Sequence, residues 1–196
     1  MRQPEITKEK ILRKSGHLFN TQGYRATSIS DITTATGFTK GAIYRHFTNK
    51  DELEKETLIH LSDIMFEHTR KCIVDQKTAP DKLKALFKFF ESYITNSPLK
   101  GGCPLLNAAT EADDSHPVLR KQAVLILDKL HEAIVHILNN GVRYGQIKPS
   151  VNKDFYATLV IASLEGAIMM GKLRGNNNDM ARVVRHLNQV VKEIEL

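Results

Sequence analysis

Ser28-Ile29-Ser30-Asp31-Ile32-Thr33-Thr34-Ala35-Thr36-Gly37-Phe38-Thr39-Lys40-Gly41-Ala42-Ile43-Tyr44-Arg45-His46-Phe47 is the stretch that decides the fold. Ser28 with an acid three residues on, Asp31, has the form of a capping box with Asp in place of Glu, so a helix starts here. Ile29, Ile32 and Ala35 repeat at helical spacing and Gly37 stops them. Thr39 then has the chemistry to cap a second short helix, to about His46, whose Ile43 and Phe47 turn inward. Two short helices around the tight turn Gly37-Phe38-Thr39 are a helix-turn-helix. The second helix opens on the slim Lys40-Gly41-Ala42, suited to pressing its N-terminal end into a major groove. Lys40, Tyr44 and Arg45 point away from Ile43 and Phe47, free for bases or phosphates.

Upstream, residues 5–22 place Ile11, Leu12, Leu18 and Phe19 on one face, and Gly23 ends that helix. Downstream, Asn49 caps a helix of about 51–75 whose first turn carries Asp51, Glu52 and Glu54, acids that suit a helix dipole. Further helices are expected from Pro80 to about Thr95, near Leu105–Ala112, from about Pro117 to Tyr144, and over 152–173 and 178–194. Asp113 or Ser115 is the expected cap of the long helix that ends near Tyr144. Sustained period-2 alternation is nearly absent, so the fold class is all-α: an N-terminal three-helix domain, residues 1–50, and a helical domain, residues 51–196.

Charge divides the same way. Arg2, Lys8, Lys10, Arg13, Lys14, Arg25, Lys40, Arg45 and Lys50 face only Glu5, Glu9 and Asp31 within residues 1–50, which accounts for the whole net charge of +6. The remainder balances, so a polyanion partner is expected for the first part only. The two cysteines, Cys72 and Cys103, make no disulfide framework, and the polar start lacks a signal peptide, so a reduced, cytoplasmic protein is expected. Phe155 to Met170 is interrupted by Thr158, Ser163 and Glu165 and reads as a buried helix rather than a membrane span. No phosphate-cradling glycine loop, zinc-protease helix or nucleophile elbow is found, so an enzyme is not expected. Cys103, Glu111, Asp113, Asp114 and His116 lie close in sequence but meet no metal-ligand spacing, and neither metal nor cofactor is expected.

The run Thr39–Leu53, with Phe19, Gly23-Tyr24, Thr27-Ser28 and Ile32 upstream, resembles the tetracycline-repressor-like regulators, which are commonly called TetR-type. The resemblance covers about residues 10–53. It implies a homodimer of nine or ten helices, with a helix-turn-helix head on operator DNA and a C-terminal ligand pocket and dimer interface. Most such proteins repress transcription and release DNA when a small molecule binds. Carried onto this chain, Thr27 and Ser28 would contact phosphate, and Thr39, Lys40, Gly41 and Ala42 would sit nearest the bases. Tyr44, His46 and Lys50 would contact backbone, and Arg45 either. For Tyr44, partial burial against Phe38 and Phe47 stands as an equal alternative.

In the C-terminal part, Phe66, Leu86, Phe89, Phe90, Tyr93, Leu106, Ile134, Leu138, Leu164 and Met169 form an apolar set drawn from several helices, which fits core or pocket wall. Resemblance around Gly102-Cys103-Pro104-Leu105-Leu106-Asn107 implies Asn107 and Glu111 as polar contacts for an effector beside Phe66, Phe89, Phe90, Tyr93, Leu106 and Met169. An apolar effector is expected, because this part is neutral overall. Small residues at Ala157, Ala162, Ser163, Gly166, Ala167 and Gly171, with an apolar stripe at Val183, Leu187, Val190, Val191 and Ile194, suit a second subunit. The competing reading is a helical DNA-binding or adaptor protein without an effector.

Overall fold

The computed structural model describes residues 3–112 and 114–196, and Asp113 and Arg2 lie outside the described residues. The described residues form α1 (Gln3–Gln22), α2 (Ile29–Thr36), α3 (Lys40–Tyr44), α4 (Lys50–Ile73) and α5 (Ala79–Glu91). These are followed by α6 (Pro104–Ala112), α7 (Pro117–Arg143), α8 (Lys153–Arg174) and α9 (Asn178–Ile194). The all-α expectation holds, and an isolated antiparallel bridge joins Ile147 to Glu195. The chain divides into two compact units, residues 1–64 with 99–126 and residues 65–98 with 127–196, so α4 and α7 each run from one unit into the other.

In the first unit, α1, α2 and α3 close over Ile11, Phe19, Ile32, Ile43 and Phe47, all essentially removed from water. Leu12 and Leu18, expected on the same face as Ile11 and Phe19, are only half-buried. The inward positions are taken by Ser15 and Gly16, because α4 approaches closely there. A Cβ on Gly16 would meet Leu61 Cδ2 at 2.8 Å, so a side chain there would force Leu61 to shift. Burying each large aliphatic or aromatic chain contributes about 1.5–3 kcal/mol before entropy is set against it.

The corner between α6 and α7 is capped differently from expectation. The Leu119 N–H donates to His116 Nδ1 at 3.2 Å, so an imidazole caps α7, while the Ser115 hydroxyl bonds back to Glu111 O at 3.0 Å. A ring nitrogen accepts as well as a carboxylate oxygen does, a possibility that the usual cap preferences leave out.

In the second unit, α9 packs on both α5 and α8. Its buried stripe is Met180, Val184, Leu187, Val190, Val191 and Ile194. Val184 rather than Val183 faces inward, although both keep three- or four-residue steps to Met180 and Leu187. α8 is long and apolar enough to cross a membrane by length and composition alone. It was expected to be buried, but only one face is: Ala157, Val160, Leu164 and Ala167 point inward while Phe155, Met169 and Leu173 are exposed.

Candidate nucleic-acid interface

The start of α2 is built from its own residues. The Ser28 N–H donates to Asp31 Oδ2 at 2.8 Å, and Asp31 N–H returns the bond to Ser28 Oγ at 3.2 Å. The Ser28 hydroxyl, donating to Asp31 Oδ2 at 2.6 Å, and after it the Ser28 N–H hold the exposed Asp31 carboxyl below its ordinary range. α2 ends at Gly37, whose φ of 73° and N–H bond to Thr33 O at 2.9 Å make a left-handed cap. Thr39 Oγ1 accepts the Ala42 N–H at 3.2 Å and starts α3. After Tyr44 the chain tightens, the His46 N–H bonding to Ile43 O, and this tucks Phe47 into the core.

The result is a short helix whose N-terminal end is slim and open. Gly41 has open space where a Cβ would stand, and Lys40, Gly41, Tyr44 and Arg45 are exposed. Tyr44 is 37% exposed, with Lys40 Nζ 5.8 Å from its ring. Ala42 and His46 are half-buried, and Ser28 and Thr39 are exposed caps.

Two expected phosphate contacts are placed otherwise. Thr27 is fully buried and its hydroxyl donates to Gly23 O at 2.7 Å. Lys50 Nζ donates to Tyr24 O at 2.9 Å and pairs with Glu54 at 3.1 Å, so its ammonium is held inside the first unit. Lys8 is similarly committed to Glu56, 2.7 Å away, and Lys10 lies 4.7 Å from the Phe38 ring centroid. Arg13, Lys14, Arg25, Lys40 and Arg45 form no ion pair among the described residues, which leaves the head's charge uncompensated. Arg25, exposed three residues before Ser28, was named only for its charge; a basic residue just ahead of a helix cap was the available signal.

Asp51, Glu54 and His116 bring three ligand-type atoms within 4.8 Å of one another. Because Nδ1 of His116 accepts from Leu119, the neutral ring carries its proton on Nε2, which donates to Glu54 Oε2 at 2.6 Å. Lys50 holds the other Glu54 oxygen. The lone pair that a metal would need on Nε2 is occupied by a proton, so the trio is built as a hydrogen-bonded clasp.

Asn107 and Glu111, expected beside an effector, are both committed to α1 and the turn after it. Asn107 Nδ2 donates to Asn20 Oδ1 at 2.9 Å, and the Glu111 carboxylate accepts from Tyr24 N and Arg25 N. Leu106 is half-buried in the same unit. In the second unit Phe89, Phe90 and Tyr93 do come together, with ring centroids 5.0–6.0 Å apart, and the Tyr93 hydroxyl donates to Met65 Sδ at 3.6 Å. Phe66 lies under Lys129 Nζ at 4.4 Å, and Met169 is exposed.

A family model described as "Bacterial regulatory proteins, tetR family" matches residues 11–57, and one described as "Tetracyclin repressor-like, C-terminal domain" matches residues 79–187. This chain belongs to the TetR family of transcriptional regulators. A TetR regulator from Chloroflexus aurantiacus has the same fold with TM-score 0.95 at 34% identity, covering 100% of both chains. One from Cytophaga hutchinsonii gives 0.90 at 27%, over 100% of this chain and 98% of the other. Among curated relatives, the transcriptional repressor DhaR of a Mycobacterium species is 24% identical over 88% of this chain and 86% of its own. The regulator TtgR of Pseudomonas putida is 26% identical over 91% and 86%. TetR proteins are DNA-binding transcriptional regulators, not enzymes, and this chain is one of them.

Proposed function

We propose that this TetR regulator acts as a homodimeric repressor that grips operator DNA with α3 and lets go when an apolar small molecule enters its second unit. The carrying observation is the slim, exposed α3 start, Lys40-Gly41-Ala42, whose Lys40 and the adjoining exposed Arg45 form no ion pair among the described residues. Lys40 and Arg45 read base edges or backbone, Tyr44 and His46 contact backbone, and Ser28, Thr39, Gly41 and Ala42 lie closest to the duplex. Thr27 and Lys50 act through the shape of the head, because their polar atoms are already bonded within it. The Phe89–Phe90–Tyr93 cluster, with Phe66, supports an apolar effector site, while the exposed Met169 fits the dimer face instead. Leu106, Asn107 and Glu111 support a role in holding the head.

Dimerisation through α8 is supported by its exposed Phe155, Met169 and Leu173, and by Gly166, where a Cβ would meet open space. Coupling runs along α4, a helix that starts at the head with Lys50 and Leu53 and continues past Phe66. An effector favouring one state by about 1–3 kcal/mol changes operator affinity 5–150-fold.

The test is a DNA shift assay on the region around the protein's own gene, then titration of apolar compounds by thermal shift and DNA release. Specific binding that steepens as salt falls supports the operator reading. Binding that no apolar compound relieves would leave a DNA-binding regulator without an effector.

A further inference from the structure

A groove of about 340 Å³ opens in the second unit, and its lining shares no residue with the Phe89–Phe90–Tyr93 cluster. It lies among the last turn of α4, the link that follows, the first turn of α5 and the last turns of α7. Arg70, Lys77 and Lys82 line it, and no carboxylate does. None of these three cations forms an ion pair among the described residues. Lys82 is not a free surface lysine: it is half-buried and its Nζ donates to Ile73 O at 3.0 Å, which fixes the ammonium and leaves further N–H groups for a ligand.

The neutral groups add donors. Gln146 Oε1 accepts from Ala79 N at 2.8 Å, which leaves its amide NH2 as the remaining polar end. Asn140 Nδ2 bonds to His136 Nε2 at 2.9 Å, which leaves the neutral imidazole its proton on Nδ1.

The same groove is apolar elsewhere. Val74 is 58% and Tyr144 67% exposed, two of the large hydrophobic side chains this chain leaves in water, and Ile137 lies buried beneath them. Burying such surface against a ligand is favourable. A bare inorganic anion would satisfy the cations and leave Val74 and Tyr144 wet. A neutral apolar molecule would cover these side chains and leave three cations and several donors unanswered.

We infer that this groove is a binding site for a small aromatic carboxylate, its charged end among Arg70, Lys77 and Lys82 and its ring against Val74 and Tyr144. The planar guanidinium of Arg70 matches a carboxylate with two parallel hydrogen bonds, and an aromatic face on Tyr144 stacks on a planar ring. The inference does not depend on the operator or on the apolar effector proposed above.

Because the chain contains no tryptophan, Tyr144→Trp places a unique fluorophore in the groove. The experiment titrates the full-length Tyr144→Trp protein with benzoate, with benzyl alcohol as the neutral counterpart and inorganic phosphate as the bare anion, and repeats benzoate on the wild type by calorimetry. Saturable benzoate binding is expected in both, at least ten-fold tighter than benzyl alcohol or phosphate and weaker as salt rises. Arg70→Gln with Lys77→Gln should raise the benzoate Kd at least ten-fold at unchanged helicity; if the double variant loses helicity, Lys77→Gln alone serves, with a several-fold rise expected. The inference is overturned by the absence of saturable benzoate binding, by equal binding of benzyl alcohol or phosphate, or by a benzoate Kd that the glutamine variants leave unchanged. None of these readouts involves DNA, so failure here is separate from failure of the operator reading.

Discussion

Glu111 holds Tyr24 by its backbone: Oε1 accepts the Tyr24 N–H at 3.1 Å, and Oε2 accepts the next N–H, that of Arg25, at 3.0 Å. One carboxylate thus satisfies two consecutive amides in the turn after α1. Gly23 allows this, since its φ of 98° suits glycine and a Cβ there would stand 2.8 Å from Glu111 Oε1. Glu111→Ala should lower stability by about 1–3 kcal/mol in urea unfolding, because two amides lose a charged acceptor. An unchanged midpoint would show that water replaces the carboxylate without cost.

Tyr24 itself makes a second prediction. Its ring stacks on Phe19 at 4.8 Å, but its hydroxyl is buried with no hydrogen-bond partner among the described residues. Burial first, then the Glu54 and Glu111 charges, push the phenol well above its ordinary value of 10.0. With the folded pKa raised, the contribution is complete below pH 10 and is lost as pH rises above it, since only the unfolded chain ionises there. Tyr24→Phe should keep the stacking, leave stability at pH 7 unchanged or up to about 1 kcal/mol higher, and extend the folded range at alkaline pH. Alkaline denaturation followed by circular dichroism checks both.

At the α2 cap, Ser28→Ala removes the hydroxyl that accepts the Asp31 N–H and donates to the Asp31 carboxylate while keeping the backbone N–H half of the box, and a loss of about 1 kcal/mol is expected. The pH dependence has the opposite sign to that of Tyr24. The folded Asp31 carboxyl titrates below 3.8, so its contribution is present above that range and fades as pH falls through the folded value. Acid titration of the wild type should show this loss near and below pH 4, and the Ser28→Ala profile should be flatter there.

On the exposed side of α3, Lys40→Ala and Tyr44→Ala should weaken operator binding without altering the unfolding midpoint, since neither side chain supports the core. A base contact by Lys40 costs about 1–3 kcal/mol and relaxes preference at one base, whereas a phosphate contact weakens all sequences alike. Arg45→Ala should also reduce the slope of log affinity against log salt. Normal DNA binding by all three variants in a shift assay would place the recognition face elsewhere.

Gly101→Ala should be among the most damaging single substitutions. A Cβ there would stand 2.1 Å from Asn20 O, and the backbone has a φ of 99°. Asn20 also donates to Lys100 O at 2.7 Å and Gly102 O at 3.0 Å, so the loop cannot withdraw without losing those bonds. A loss of about 2 kcal/mol or more is expected in urea unfolding.

Much of this molecule is written locally. The Ser28–Asp31 box, the Gly37 stop, the Thr39 cap and the inward pair Ile43 and Phe47 follow from short-range hydrogen bonding and helical period, and the structure contains each one. The excess of cations in residues 1–50 follows from composition alone and marks a DNA-binding head. Sequence could not assign partners to polar side chains. Thr27 and Lys50 carry the chemistry of phosphate contacts, yet Gly23 O, Tyr24 O and Glu54 claim them. Asn107 and Glu111 are polar residues on a short helix, and only folding carries them across more than eighty residues to Asn20, Tyr24 and Arg25. His116 caps α7 and fixes its tautomer locally, through Leu119, but its bond to Glu54 is the same kind of long-range encounter. A helix start needs atoms within four residues, and periodicity reports them; a hydrogen bond between distant segments depends on where the packed core places both, which only the tertiary structure decides.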